Sequence, residues 1–94
     1  MSKFASLVTV EQDYQNVQEL ASIWGDVRSE LAEHDTTLEA NYAILGEYDF
    51  LLVFDSPDRD AAYQAALCIE RYGLDMQTME IIPMEEFSQL VDDL

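Results

Sequence analysis

Basic side chains are scarce in this chain, and their scarcity disfavours two classes of partner. Four Lys and Arg residues (Lys3, Arg28, Arg59 and Arg71) stand against 20 Asp and Glu residues, which gives a formal net charge of -16. Nucleic-acid binding depends on a basic patch that displaces counterions from phosphates, and anionic membranes attract clustered Lys and Arg. We therefore expect neither nucleic acid nor a membrane as a partner.

Cysteine and histidine each occur once. Cys68 has no second cysteine with which to form an intrachain disulfide, so we expect a small packing residue and no oxidising compartment. His34 lies near Glu33, Asp35 and Glu39 and is a candidate general base, with a solvated helix end as the simpler interpretation. Beyond that candidate, the sequence contains no HExxH, EF-hand or CxxC spacing, and we predict no catalytic residue, metal site or cofactor.

Long apolar runs are absent as well. The longest strongly apolar stretch, residues 50–54, is far shorter than the roughly 20 residues needed to cross a bilayer. Residues 1–10 lack the basic start and the cleavage site of a secretory signal. The expected location is the cytoplasm.

The abundant acids are scattered through the whole chain, and lysine occurs once. In roughly 1 M salt the Debye length falls to about 3 Å, which screens the repulsion that would strain this domain in dilute buffer. We therefore interpret the acidity as the surface of a halophilic protein. An ordinary acidic domain is the alternative.

Composition and periodicity predict one folded domain, residues 1–94. Apolar residues make up 49% of the chain and charged residues 26%, which is typical of globular proteins. Apolar or alternating stretches with strand character cover residues 4–10, 36–45, 48–55 and 75–82.

Helical spacing of apolar residues follows the first and the third of these strands. The first helix is expected to begin at Asp13, and the second to be capped near Ser56 or Asp58 and to end at Gly73. A short amphipathic C-terminal helix is expected after Pro83. Its apolar face comprises Met84, Phe87, Leu90 or Val91, and Leu94.

The order of strand, helix, strand, strand, helix, strand predicts an α+β, ferredoxin-like βαββαβ fold. In this fold a four-stranded antiparallel sheet carries both helices on one face. Residues 48–55 are apolar on both faces, so the face without helices would stay exposed in a lone subunit. A second copy of the sheet is the simplest cover, and we expect a homodimer.

A family resemblance supports this topology. The residues LGEYD at 45–49, the apolar strand after them, the SPD helix start, the alanine-rich helix, its terminal glycine and the TMEIIP strand resemble the GYD-domain family. The resemblance is clearest over residues 42–83 and implies a ferredoxin-like fold of the dimeric α+β barrel kind. Members of the family carry a glycine pair before the second strand, where this chain has His34, Asp35 and Thr36. The resemblance transfers no catalytic residue, because the shared pattern is a signature of the fold.

The glycine, tyrosine and aspartate of this motif have a structural interpretation. Gly46 would take a positive φ in the hairpin turn, Tyr48 would cover the core, and Asp49 would accept amide hydrogens of the turn.

A small-molecule pocket is the functional alternative. Tyr48, Asp49 and Tyr42 would form its polar mouth, with Trp24 and Tyr63 as further lining. A non-catalytic module that binds a small molecule or another partner is the favoured function. A cofactor-free enzyme of monooxygenase or isomerase type, which dimeric α+β barrels also host, is the alternative.

Overall fold

Strands and helices alternate along the chain in the predicted order. The structure, a computed structural model, describes residues 2–11 and 17–94. Its elements are β1 (Ser2–Val10), α1 (Val17–Glu33), β2 (Thr37–Ala43), β3 (Phe50–Ser56), α2 (Arg59–Glu70), β4 (Leu74–Ile81) and α3 (Met84–Asp92). The predicted start of the first helix at Asp13 lies outside the described residues.

The four strands form one antiparallel sheet in the order β2-β3-β1-β4. β1 is a central strand: its Leu7 pairs with Leu51 of β3 along one edge and with Gln77 of β4 along the other. α1 contacts β2, and α2 contacts β3 and β4. This arrangement is the predicted ferredoxin-like α+β fold with its four-stranded antiparallel sheet.

The core lies between the two long helices and the face of the sheet that they cover. Its largest fully buried apolar side chains are Val8, Leu52 and Phe54 of the sheet, Val27 and Leu31 of α1, and Ile69 of α2. The rings of Phe4 and Phe54 stack with their centroids 5.5 Å apart. Full burial of such a side chain contributes about 1.5–3 kcal/mol. This apolar contact holds α1 and α2 against the sheet.

Asp35 ends α1 in a left-handed conformation with a φ of 59°. The amide of Thr36 donates to the carbonyl of Leu31 at 3.0 Å, and the amide of Asp35 donates to the carbonyl of Ala32 at 3.1 Å. These two hydrogen bonds form a Schellman motif, in which glycine usually takes the left-handed position. Asp35 therefore occupies a position in which glycine is usually found.

The ends of α2 follow the predicted signals. Asp58 Oδ1 accepts a hydrogen bond from the Ala61 amide at 2.8 Å, so Asp58 is the N-cap. Gly73, after the helix, has a φ of 80°, and its carbonyl accepts from the Glu11 amide at 2.9 Å. The turn after α2 is thereby tied to the residue that follows β1.

The expected positive φ at Gly46 is wrong. Among the described residues, Asp35 and Gly73 have positive φ, and Gly46 does not. The β2–β3 hairpin is closed by a hydrogen bond from the Ile44 amide to the Asp49 carbonyl at 2.8 Å. The intervening residues reverse the chain through bends without the left-handed position that a tight primed turn requires. Glycine is therefore not needed at residue 46.

The face of the sheet opposite α1 and α2 is uncovered. Strand register and alternation place a set of apolar side chains there, which includes Ala5, Leu7, Tyr42, Leu51, Val53, Met79 and Ile81. Tyr42 is 59% exposed, whereas Leu7, Leu51 and Val53 are partly exposed. We call this set the open sheet face.

α3 is amphipathic and stands apart from the core. None of its residues is buried, and Phe87 is 48% exposed. The radius of gyration, 14.6 Å, exceeds the roughly 12 Å expected for a compact domain of this length. No helix among the described residues is long and apolar enough to span a membrane.

Candidate ligand-binding site

The five side chains predicted to line a pocket lie in separate parts of the described structure. Trp24 lies on α1 beside the helix-covered face of the sheet, whereas Tyr42 belongs to the open sheet face. Tyr63 lies on α2 beside a different groove. Tyr48 and Asp49 lie at the end of the β2–β3 hairpin. Opposite faces of a strand and separate helices keep these groups apart, and ligand binding by the set stays a prediction.

Asp49 joins the hairpin to the end of β1. Its amide donates to the Val8 carbonyl at 2.8 Å, and its Oδ2 accepts from the Val10 amide at 2.8 Å. The carboxylate thus serves a backbone amide of β1 and not one of the turn. Tyr48 Oη donates to Gln77 Oε1 of β4 at 3.3 Å in an exposed position. Both contacts fix strand ends, so the geometry supplies a structural role for the motif.

A groove of about 270 Å³ lies between α1 and the ends of β2 and β3. We call it the Trp24 groove; it is lined by Leu20, Ala21, Trp24, Asn41, Ala43 and Phe50. The indole of Trp24 packs edge-on against the ring of Phe50, with centroids 5.0 Å apart and planes at 72°. Its Nε1–H is buried and has no acceptor within the described part of the chain. The side chains that line the groove are therefore apolar or neutral, and the Asn41 amide and the Trp24 indole are the polar groups among them.

Sequence reasoning identified Trp24 but missed Asn41 and Phe50 as its neighbours. Asn41 lies opposite Leu52 of β3, which places it on the helix-covered face. Ala40 instead lies opposite Val53 of the open sheet face, because the register shifts between Leu38 and Ala40. Strict alternation along residues 36–45 would place Ala40 on the same face as Leu38, so alternation alone does not give this placement.

A second groove, of about 240 Å³, lies between α2 and β4. We call it the α2–β4 groove; its lining residues are Phe4, Arg59, Ala62, Tyr63, Ala66, Thr78 and Glu80. Arg59 and Glu80 are its charged groups, and Tyr63 is 65% exposed. Thr78 is held by a hydroxyl contact of 2.7 Å to Ser6 of β1. The groove is a mainly apolar trough with one cation and one anion.

His34 and Cys68 have the surroundings of structural residues. The His34 amide donates to the Leu31 carbonyl at 3.0 Å, and its carbonyl accepts from Thr36 Oγ1 at 3.4 Å, so its backbone belongs to the end of α1. Among the described residues there is no group of three or more His, Cys, Asp or Glu side chains that could hold a metal ion. Cys68 is buried, and burial raises the pKa of its thiol, which lowers its reactivity. A general-base role for His34 stays a prediction.

Two polar contacts lie away from both grooves. Tyr72 Oη donates to Glu30 Oε1 at 2.8 Å, and this hydrogen bond together with desolvation raises the pKa of Tyr72 to about 12. Lys3 Nζ lies 2.9 Å from Glu39 Oε2, and this pairing lowers the pKa of Glu39 below its ordinary value. The first contact links α1 to the residues after α2, and the second crosses one end of the open sheet face.

Comparison with known proteins supports the fold and gives the family. A solved structure of muconolactone isomerase superposes with a TM-score of 0.57 at 20% sequence identity, over 86% of this chain and 88% of that one. At that identity the likeness shows the fold alone. No protein with a curated description matches this chain in sequence. The family model of the GYD domain matches residues 6–91. This chain therefore belongs to the GYD-domain family.

Proposed function

We propose that this chain is a non-catalytic module that binds a small, neutral and mainly apolar molecule in the Trp24 groove and acts as a homodimer. The buried, unpaired Nε1–H of Trp24 carries the proposal. Buried indole N–H groups usually have a hydrogen-bond partner, because an unpaired buried donor costs about 1–3 kcal/mol. A ligand with a carbonyl or hydroxyl oxygen would supply the missing acceptor.

The lining of the groove favours binding over proton transfer. The side chains of Leu20, Ala21, Ala43 and Phe50 are hydrocarbon, and those of Trp24 and Asn41 are polar but do not titrate near neutral pH. A general acid or base needs a titratable group within hydrogen-bond reach of the substrate. The formal net charge of -16 disfavours an anionic ligand, and the lining offers no carboxylate to bind a cation, so a neutral ligand fits best.

A cofactor-free enzyme of monooxygenase or isomerase type is the second candidate. Its support is the fold shared with muconolactone isomerase, and a shared fold does not by itself imply a shared activity. An isomerase of this kind would convert muconolactone, and proton NMR would follow the disappearance of that substrate. Measurable turnover would favour this second candidate over a non-catalytic module.

The open sheet face supports the homodimer. Leu7, Leu51 and Val53 lie in its centre on neighbouring strands and remain partly exposed in one subunit. Contiguous exposed apolar surface of this kind marks an interaction site, and a second copy brings a matching apolar sheet. Light scattering in 2 M KCl should give about twice the 10.7 kDa of one chain. Val53→Asp should lower that mass, and the exposed Ser29→Asp should not; a monomeric mass for the unaltered chain would refute the dimer.

Ligand binding is tested with three probes that differ in one group. Acetophenone carries the carbonyl oxygen, ethylbenzene has the same shape without it, and benzoate adds a negative charge. Calorimetry should rank acetophenone above the other two, because a hydrogen bond is worth about 0.5–1.5 kcal/mol, or roughly twofold to tenfold in affinity. Trp24 is the single tryptophan, so its fluorescence should change as the ketone binds.

The variant Trp24→Phe distinguishes the contribution of the indole N–H from that of the apolar lining, because it removes the donor and keeps an aromatic ring. It should remove the preference for acetophenone over ethylbenzene, whereas Tyr63→Phe in the α2–β4 groove should preserve it. Circular dichroism melts confirm that each variant is folded. Equal affinities of the unaltered chain for the two probes would refute the role of Nε1.

A further inference from the structure

We propose that the α2–β4 groove is the docking site for α3 of a second copy of this chain. The proposal goes beyond ligand binding in the Trp24 groove and does not depend on it. It gives a role to the two apolar surfaces that the sheet-to-sheet dimer leaves uncovered.

The first of these surfaces is one side of α3. Met84, Phe87, Leu90 and Val91 recur at helical spacing, and each is exposed by 48% or more. With 100° between successive residues, Glu86 borders this strip on one side and Ser88 on the other. A helix with such a strip is stable when the strip is buried against a partner.

The second surface is the α2–β4 groove. Two small residues, Ala62 and Ala66, line it on the α2 side together with the exposed Tyr63. Residues 59–66 span about 10 Å along α2, and residues 84–92 span about 12 Å along α3, at roughly 1.5 Å per residue. The groove therefore has the length of the apolar strip.

Charge complementarity gives the docked helix an orientation. Arg59 forms no ion pair with the described residues, and it lines the groove on the side opposite Glu80. α3 carries Glu86 on one border of its strip and the uncharged Ser88 on the other. Docking with Glu86 towards Arg59 and Ser88 towards Glu80 pairs the cation and keeps the two carboxylates apart.

The occupant is α3 of another copy because α3 of the same chain begins beside a different set of residues, where its Glu86 lies near Lys3 and Asp55, and none of its residues lines the α2–β4 groove. Two residues, Ile82 and Pro83, separate β4 from α3, and Pro83 is extended with φ -63° and ψ 152°. α3 makes no substantial contact with another described element. The groove residues Thr78 and Glu80 precede the end of β4 at Ile81. To place α3 in the groove of its own subunit, the chain would have to turn back along β4 within the two residues of the link. A second copy can present its helix without this reversal.

A membrane surface is a poor occupant for the strip on α3. Helices that lie in a membrane interface carry Lys and Arg on their polar face, whereas α3 carries Glu85, Glu86 and Asp92 and no basic residue. Flotation with phosphatidylcholine vesicles in molar salt should leave the chain unbound. Binding to the vesicles that is lost in Phe87→Ser would overturn the proposal.

Cysteine cross-linking tests the docked pair directly. In a Cys68→Ala background, the chain with Tyr63→Cys and Phe87→Cys is oxidised with diamide, and Tyr63→Cys with Gln89→Cys is the matched control on the polar side of α3. We expect a covalent dimer on a non-reducing gel for the Phe87 pair and much less for the Gln89 pair. Chains that carry a single one of these cysteines are the controls, because they measure how much covalent dimer forms by a disulfide between the same residue of two copies. An internally bonded monomer, or equal dimer yields for both pairs, would overturn the proposal.

Charge exchange tests the orientation. Arg59→Glu should raise the dimer dissociation constant or slow cross-linking by up to about fivefold, as expected for an exposed ion pair, and adding Glu86→Arg should restore it. Arg71→Glu, at the other end of α2, is the control. Failure of the second change to restore association would overturn the pairing of Arg59 with Glu86. Acetophenone binding by the same chains reports separately on the Trp24 groove, so failure of either proposal is recognised independently.

Discussion

Asp49 Oδ2 lies 2.8 Å from the amide nitrogen of Val10 and accepts its hydrogen bond. The Val8 carbonyl accepts from the Asp49 amide in turn, so one residue ends the pairing of β3 with β1 through both its backbone and its side chain. An unpaired backbone amide at that position would cost about 1–3 kcal/mol if it stayed dry. The aspartate of the LGEYD segment is therefore explained by strand closure.

Asp49→Ala should lower the free energy of unfolding by about 1–2 kcal/mol, because the Val10 amide loses its acceptor. Asp49→Asn keeps an oxygen acceptor and should lose less. Urea unfolding in molar salt measures both, and Glu47→Ala in the exposed loop controls for the removal of one charge. A loss with Ala no larger than with the Glu47 control would show that the contact does not stabilise the fold.

Asp35→Gly should stabilise the chain. Asp35 has a φ of 59°, a conformation that costs a residue with a Cβ about 1 kcal/mol and glycine much less. We expect a gain of about 0.5–1 kcal/mol in the free energy of unfolding, with Asp35→Asn intermediate because asparagine tolerates this conformation. Asp35→Ala removes the same charge and keeps the Cβ, so a gain of equal size in that variant would attribute the effect to charge.

Gly73→Ala and Gly46→Ala form a matched pair. Gly73 has a φ of 80°, so an added Cβ is strained and thermal melts should show a loss of about 1 kcal/mol. At Gly46 φ is not positive, and a Cβ would meet Ile44 Cγ2 at an ordinary contact distance of 3.8 Å. Gly46→Ala should therefore melt close to the parent chain. The opposite ranking would show that the hairpin contains the left-handed position.

The fold was predictable because its signals are repeated in several elements. The doubly apolar residues of β3, the cap at Asp58 and the glycine after α2 each indicate one local structure, and together they admit few topologies. The uncovered face of the sheet followed from the same apolar strand. These features depend on periodicity and capping, which are visible in a single sequence.

The candidate site was less predictable because it depends on register and on tertiary neighbours. The shift between Leu38 and Ala40 changes which residues of β2 face the helices, and it brings Asn41 rather than Tyr42 to the Trp24 groove. Nor does composition indicate that Asp35 replaces glycine at the end of α1. A one-residue irregularity reverses the facing of every later side chain, and periodicity alone does not locate it.

Tyr72 should make stability fall at alkaline pH. Its hydrogen bond to Glu30 raises its pKa to about 12, above the value near 10 expected in an unfolded chain. A group whose pKa is raised by folding stabilises the folded state below its unfolded pKa, and that contribution is lost as pH rises through the folded pKa. Unfolding should show that the unaltered chain is about 1 kcal/mol more stable than Tyr72→Phe at pH 8 and loses this advantage between pH 10 and 12. Tyr42→Phe on the open sheet face is the control, and an advantage that does not change with pH would contradict the prediction.

Stability should also depend strongly on salt. The formal net charge is -16 on 94 residues, so the carboxylates repel one another. Within the described residues one ion pair, between Lys3 and Glu39, gives an attraction that offsets part of this repulsion. Lowering potassium chloride from about 3 M to about 0.05 M lengthens the Debye length several-fold and restores repulsion between the carboxylates. We expect circular dichroism to show a melting temperature lower by at least about 10 °C in dilute salt, or a loss of structure.

Two controls separate charge repulsion from other effects of salt. Sucrose strengthens apolar burial without screening charge, so in dilute salt it should restore less stability than potassium chloride does. Lowering the pH towards about 4 protonates part of the Asp and Glu side chains, removes part of the same repulsion, and should partly restore the structure in dilute salt. The Lys3–Glu39 pair acts against this gain. Folding lowers the pKa of Glu39, so the stabilisation that the pair gives is lost as the pH falls through that lowered pKa. Equal melting temperatures at the two salt concentrations would show that the acidic surface is not an adaptation to salt and would leave an ordinary acidic domain.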